Sequence, residues 1–179
     1  MKKIKKILVT GSGGFIGMHT SLKFLEAGFY VFGIDNLNSY YDKNLKLKRL
    51  QILKRYKKFK FIKLDISNNV KLNKVFRGFR PDCVINFAAQ AGVRYSISNP
   101  KNYTQSNLLG FANILDSCKI FKVKHLLFAS SSSVYGNSVN YPFSEKEKLN
   151  SPISYYAATK LSNEVMAHSY SHLYKLPTT

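Results

Sequence analysis

Val9-Thr10-Gly11-Ser12-Gly13-Gly14-Phe15-Ile16-Gly17 follows a short apolar run, Ile7-Leu8-Val9, and leads into apolar residues at helical spacing, Phe15, Met18, Leu22 and Leu25. Strand, glycine turn and helix in that order are what a dinucleotide-binding βαβ unit is expected to show. Gly11 lets the chain turn sharply after the strand. Gly14 lets the backbone approach a pyrophosphate, where a β-carbon would collide with it. Gly17 lets the helix pack close to the strand. The helix start, with Phe15 and Ile16 in its first turn, directs free N–H groups and a positive dipole end at the phosphates. A glycine triplet alone is weak evidence. Here a carboxylate, Asp35, stands at the expected distance, ending a second apolar run, Tyr30-Val31-Phe32-Gly33-Ile34.

Working outward, 179 residues with 45% apolar content suffice for one domain with a real core. Met1-Lys2-Lys3-Ile4-Lys5-Lys6 has the basic character of a signal peptide, but the apolar run after it is short and broken by glycines. It reads as the lead-in to a first strand. No stretch is long enough to span a bilayer. Cys83 and Cys118 fall in a predicted strand and a predicted helix, with no disulfide framework or metal spacing, so a reducing cytoplasm is expected. The 28 basic and 9 acidic residues leave a net charge of +19. The basic residues are densest from Lys43 to Lys63, where Leu47, Leu50 and Leu53 recur at helical spacing among Lys46, Lys48, Arg49, Lys54 and Arg55. That pattern predicts an amphipathic helix with a solvated basic face. Zinc-finger ligands and aromatic RNA-binding signatures are missing, so a nucleic-acid partner is not expected.

Strands are predicted at Ile4–Val9, Tyr30–Asp35, Phe59–Leu64, Cys83–Phe87 and Lys124–Ala129. Helices are predicted at Phe15–Ala27, over the basic segment, at Asn69–Phe79, Tyr103–Phe121 and Ile153–Tyr174, with a loop over Tyr141–Pro152. The alternation predicts an α/β fold, a Rossmann-like, doubly wound parallel sheet. Ligands on such a sheet bind at the C-terminal ends of its strands. The glycine turn, Asp35, Asp65, Ala88-Ala89 and Ser130-Ser131-Ser132-Ser133 all fall at that edge. Asp35 is placed to accept hydrogen bonds from two adenosine ribose hydroxyls, and its charge favours NAD over NADP. Asp65-Ile66 is placed to meet adenine, although an ordinary strand-end aspartate reads nearly as well. Ala88-Ala89 permits close backbone approach to a ligand.

The strongest catalytic signal is Tyr156-Ala157-Ala158-Thr159-Lys160. A tyrosine and a lysine four apart share one helix face. A free tyrosine has a pKa of ~10, so bringing it near neutrality requires ~4 kcal/mol of preferential phenolate stabilisation. A nearby ammonium and a nicotinium ring supply much of that, making Tyr156 a general base for a sugar hydroxyl. Lys160 is also placed to hold the nicotinamide ribose. Tyr155 has Thr159 at the same spacing, which carries no charge. In the serine run Ser131 is the first choice and Ser132 the second for a hydroxyl that bridges the reacting oxygen. His168 and His172 are four apart, but no further ligand cluster accompanies them, so no metal is expected.

Together these residues resemble the extended short-chain dehydrogenase/reductase family, the nucleotide-sugar epimerases and dehydratases. The resemblance runs along the whole chain: Thr10 to Gly17, Asp35-Asn36-Leu37-Asn38, Asn86-Phe87-Ala88-Ala89-Gln90, Ser130 to Gly136 and Tyr156 to Lys160. Asn38 to Asp42, Ala88 to Ser96 and Met166 to Tyr174 resemble the UDP-glucuronate 4-epimerases within it. The resemblance implies that Asn36, Asn38 and Phe87 join the NAD site. It implies that Tyr156 takes the proton of the sugar 4-hydroxyl while C4 gives hydride to NAD⁺, the 4-keto sugar turns over, and hydride returns to the opposite face. Ser131 matches the family's catalytic Ser/Thr, and Asn107 a structural asparagine. Gln90 and Arg94 lie in a loop that approaches the sugar, where Arg94 suits a uronate carboxylate. Related dehydratases carry an acid pair where this chain has Ser132 and Ser133, so simple epimerisation is expected. Relatives run past Thr179 into a sixth strand and a C-terminal nucleotide-sugar domain. The resemblance therefore implies that residues 1–179 form the NAD-binding domain with little of the substrate half. The alternative is a non-catalytic NAD-binding fragment or interaction module. Relatives dimerise through helices matching Tyr103–Phe121 and Ile153–Tyr174, which implies a homodimer.

Overall fold

A computed structural model describes residues 4–147, 149 and 151–179. The first three residues of the basic lead-in, and Lys148 and Asn150 of the predicted loop, lie outside the described residues. The strands are β1 (Lys6–Thr10), β2 (Tyr30–Asp35), β3 (Phe59–Lys63), β4 (Cys83–Asn86) and β5 (His125–Phe128). They form one parallel sheet in the order β3-β2-β1-β4-β5, so the chain reverses its winding direction beside β1. The crossovers carry helices α1 (Phe15–Glu26), α2 (Lys43–Lys54), α3 (Asn69–Phe79), α4 (Val93–Ser98), α5 (Pro100–Tyr103) and α6 (Gly110–Ile120). α7 (Tyr155–Tyr174) closes the described chain. The predicted α/β, doubly wound, Rossmann-like sheet is what the structure contains.

Alternation along β1 sorts the core. Leu8 packs with Val84, Leu126 and the inner faces of α3 and α6, while Ile7 and Val9 pack with Val31, Phe59 and the inner faces of α1 and α2. A parallel sheet covered on both faces needs apolar residues at every position. Ile7-Leu8-Val9 and Cys83-Val84-Ile85 meet that need.

Several boundaries differ from the sequence reading. The Tyr103–Phe121 helix is three pieces: α5, a π-helical turn over Thr104–Leu109, and α6. α4 arises between Gly92 and Pro100, where a loop was expected; a helix of six residues between two breakers leaves no room for helical periodicity to register. In α2 the buried face is Lys46, Leu50 and Leu53, whereas Leu47 is 39% exposed. The basic face is therefore not wholly solvated: one of its lysines turns inward. Past β5, Pro177 and Thr179 exchange backbone hydrogen bonds of 2.9–3.0 Å with Leu126 and Phe128, so the last residues run parallel to β5.

Candidate active site

The glycine turn is shaped by backbone crowding. Gly11 has φ +70°, and a β-carbon there would stand 2.9 Å from Phe87 C and Ala88 N. A β-carbon on Gly17 would stand 2.1 Å from the Gly11 carbonyl oxygen. The turn thus folds back on the start of α1 and against the loop after β4. Gly14 caps α1 without any side-chain hydrogen bond, and no acid stands in the first turn. The amides of Phe15, Ile16 and Gly17 are left for an anion, and their residues Phe15 and Ile16 are exposed. The donor set fits the diphosphate of a dinucleotide: free helix N–H groups with no acidic residue in the first turn.

One cavity at the C-terminal ends of β1, β2 and β4 is walled by Gly11 and Gly14 on one side and Phe87, Ala88 and Ala89 on another. Asp35, Asn36, Asn38, Asp65, Ile66 and Gln90 line it as well. Most of the residues expected to hold a dinucleotide therefore share one space. Asp35 is buried, at 6% exposure. Its Oδ2 accepts the Gly13 N–H at 3.0 Å and its Oδ1 the Leu37 N–H at 2.8 Å. The latter bond is an Asx turn, and it holds Leu37, a non-glycine residue, at φ +54°. Asn36 repeats the device by accepting the Asn38 N–H at 3.1 Å, and Asp65 by accepting that of Ser67 at 3.0 Å. Asn36 Nδ2 also donates to Asp65 Oδ2 at 2.8 Å, tying the two strand ends together. Burial by itself raises the Asp65 carboxyl, but the bonds from Asn36 and Ser67 outweigh it and hold the group below the usual carboxylate value.

The second cluster lies where α7 passes the end of β5. Ser154 caps α7 by accepting the Ala157 N–H at 3.1 Å. That start sets the phase that buries Lys160 (4% exposed). Its Nζ donates to the Ala129 carbonyl at 2.9 Å. With no ion pair to a carboxylate among the described residues, burial pulls the ammonium down from the ordinary 10.5 to about 8. Ser131 is partly buried and Ser132 exposed. Ser131 Oγ accepts the Ser133 N–H at 3.2 Å and so caps the 3-10 turn Ser132–Tyr135. The Tyr156 hydroxyl has no hydrogen-bond partner among the described residues, and its ring meets Tyr103 edge-on at 6.0 Å. Tyr103, Tyr95 and Tyr40 continue that aromatic contact back to the cavity at 6.2 and 5.0 Å. The Tyr103 hydroxyl donates to the carbonyls of Ala91 and Gly92 at 2.8 and 2.5 Å, and burial pushes its pKa up to about 12. The Tyr103 hydroxyl is therefore engaged by backbone and held protonated. Tyr155 is turned to Thr104, with its hydroxyl 2.6 Å from Oγ1.

Asn107, in the π-helical turn, joins the two clusters. Its Oδ1 accepts the Gln90 N–H at 2.8 Å, and its Nδ2 donates to the Gln90 carbonyl and to Thr159 Oγ1, each at 3.0 Å. Gln90 is 4% exposed and lines the cavity. Arg94 is exposed on α4, with no partner among the described residues. No group of three or more metal-ligating side chains occurs among the described residues. No helix of the described residues is long and apolar enough to cross a membrane. Sequence reasoning missed Lys46, which lines the cavity 3.7 Å from Asp35, and Glu164, whose carboxylate accepts the Ser130 hydroxyl. Both carry a spacing signal: Lys46 precedes Leu50 and Leu53 by four and seven residues, and Glu164 follows Lys160 by four.

The family model described as GDP-mannose 4,6 dehydratase matches residues 8–179. The chain is 51% identical over 174 residues to protein CapI of Staphylococcus aureus, covering 97% of this chain and 52% of that protein. It is 44% identical over 174 residues to a probable UDP-glucuronate 4-epimerase of Rhizobium meliloti, covering 97% and 51%. Among solved structures, the UDP-glucuronic acid 4-epimerase of Bacillus cereus in complex with UDP-glucuronic acid and NAD is similar at a TM-score of 0.90 and 35% identity. That match covers 97% of this chain and 55% of the other. The chain thus spans about half the length of the proteins it matches.

Proposed function

Since the chain belongs to the family of the GDP-mannose 4,6 dehydratase model, the NAD-dependent epimerases and dehydratases, we propose that it carries the cofactor-binding and catalytic half of an NAD-dependent UDP-glucuronate 4-epimerase. The observation that carries this reading is the convergence of two clusters on one sheet edge. The cavity with Asp35 and Asp65 and the Tyr156–Lys160 helix face are joined through Asn107 and the tyrosine row. Asp35 receives the adenosine ribose, Asp65 and Ile66 meet adenine, and the first amides of α1 meet the diphosphate. Phe87, Ala88 and Ala89 let the dinucleotide pass close to the backbone. When bound, NAD supplies a reversible two-electron acceptor for the sugar carbon.

The chain's own residues then move the proton. Tyr156 accepts the proton of the 4-hydroxyl and returns it after the keto sugar has turned. Lys160, still mostly protonated at pH 7, provides the positive charge that favours the phenolate. Ser131 bridges the 4-oxygen, with Ser132 beside it, and Gln90 and Arg94 face the sugar, Arg94 pairing with the uronate carboxylate. UDP-glucuronate becomes UDP-galacturonate, with NAD unchanged over the cycle. The family model's description names a dehydratase, which must expel a 6-hydroxyl and needs an acid to do so. Ser132 and Ser133 supply none, and Glu164 is held by Ser130, which favours epimerisation. Two buried free cysteines, with burial pushing the Cys83 thiol up to about 11, suit a reducing cytoplasm. Exposed Val165 and Leu173 on α7 suit a homodimer.

Calorimetry with NAD⁺ and NMR of UDP-glucuronate test the reading. The expected result is NAD⁺ uptake, formation of the galacturonate epimer, and a Tyr156→Phe chain that keeps NAD⁺ affinity within about threefold while losing at least 10³-fold in turnover. NAD⁺ uptake without turnover assigns the chain the binding half alone. No uptake by folded protein overturns the proposal.

A further inference from the structure

The ribose end of the cavity contains a cation that the catalytic scheme does not use. Lys46 is 5% exposed, although it belongs to the most basic helix of the chain. Its Nζ donates to Asn38 Oδ1 at 2.8 Å, stands 3.7 Å from Asp35 Oδ1, and lies 4.7 Å from the centre of the Tyr41 ring. Arg49, one turn further along α2, donates to the Tyr41 hydroxyl at 3.2 Å and reaches the Gly13 carbonyl at 3.5 Å. Gly13 is the residue whose amide holds Asp35 Oδ2. α2 therefore clamps the loop after β2 from outside, and Lys46 does so within hydrogen-bonding and ion-pairing range of two residues that line the cavity.

We propose that Lys46 is a positioning and charge-setting residue for the adenosine half of the dinucleotide, and that it limits how strongly a 2′-phosphate is refused. The inference rests on the NAD reading above. Asp35 owes its carboxylate geometry to two backbone amides and its charge balance to Lys46. Asn38 owes its side-chain orientation to the same ammonium. Removing the cation leaves a buried carboxylate uncompensated beside the ribose. A neutral hydroxyl is little affected by that charge directly, but it loses the fixed acceptor. A phosphate dianion suffers both the looser site and the unscreened repulsion.

The test is calorimetry of NAD⁺ and NADP⁺ with the full chain and with Lys46→Met and Lys46→Arg, thermal melts serving as the folding control. Lys46→Met is expected to weaken NAD⁺ by about tenfold and to raise the NADP⁺/NAD⁺ ratio of dissociation constants by about another tenfold. Lys46→Arg, which keeps the charge, is expected to keep the parent ratio. A packing role alone weakens both dinucleotides equally and leaves the ratio unmoved, which overturns the inference, as does unchanged NAD⁺ affinity in Lys46→Met. If methionine prevents folding, Lys46→Gln keeps an amide donor for Asn38 without charge and must raise the ratio in the same way. A parent chain that binds no dinucleotide defeats the functional reading and this inference together; a parent that binds NAD⁺ beside an indifferent Lys46→Met defeats this inference alone.

Discussion

Lys160 has an energetic consequence separate from any catalytic one. The fold takes its ammonium out of water and returns one hydrogen bond, from Ala129. Burial lowers its pKa from 10.5 to about 8, so between those values the unfolded chain holds a proton that the folded chain has released. Stability must then rise with pH through that window. Below about pH 8 the buried ammonium costs the fold about 3 kcal/mol, and above about pH 10.5 the cost is gone. Urea unfolding of the parent, referenced to Lys160→Met to cancel other titrations, is expected to show a gain of about 2–3 kcal/mol from about pH 7 to about pH 10. A flat difference would mean that the ammonium is hydrated in the fold. The Tyr-x-x-x-Lys spacing was legible in the sequence. That the ammonium is held by a strand-end carbonyl was not, because the acceptor is a backbone atom 31 residues away.

Helix and strand boundaries were legible where a side chain marks them. β2 occupies Tyr30–Asp35 and α3 Asn69–Phe79, as read, and Asn68 caps α3 by accepting the Lys71 N–H at 3.0 Å. The π-helical turn Thr104–Leu109 had no such marker, since its cause is tertiary. Its extra residue per turn sits where Asn107 must face Gln90 and Thr159 together while its carbonyl accepts Asn163 Nδ2 at 2.7 Å. The inward turn of Lys46 escaped for a related reason: hydropathy puts a lysine outside, and the partners that compensate its burial, Asn38, Asp35 and Tyr41, come from another segment of the chain. Asn107→Leu, similar in volume, would leave the buried amide and carbonyl of Gln90 without partners. The expected cost is about 3–5 kcal/mol in urea unfolding. A loss below about 1 kcal/mol would show that the turn is held by packing and not by this tether.

At the scale of the whole molecule, charge is the dominant feature. A net +19 on 179 residues is far from neutral. Glu26, Asp35, Asp82 and Asp116, four of the nine carboxylates, already pair with lysines. Even complete pairing of the nine leaves most of the 28 cations without a carboxylate. The exposed lysines of α2, Lys43, Lys48 and Lys54, lie on one outer helix, and Lys57, Lys58, Lys60 and Lys63 run along the neighbouring edge strand β3 and the approach to it. Lysines there keep another chain from adding to the sheet edge, and they charge that side of the domain heavily. Such repulsion acts on the compact state more than on an expanded chain, and salt screens it once the Debye length, about 10 Å at 0.1 M, falls below the spacing of the charges. Thermal unfolding by circular dichroism should therefore move upward with sodium chloride, by about 3–8 °C between roughly 20 and 300 mM. The rise should be largest at the low end of the series, where screening changes fastest. A midpoint indifferent to salt would mean that the lysines are too far apart to interact, and the domain's stability would then rest on the two apolar cores on either side of β1 with no electrostatic tax.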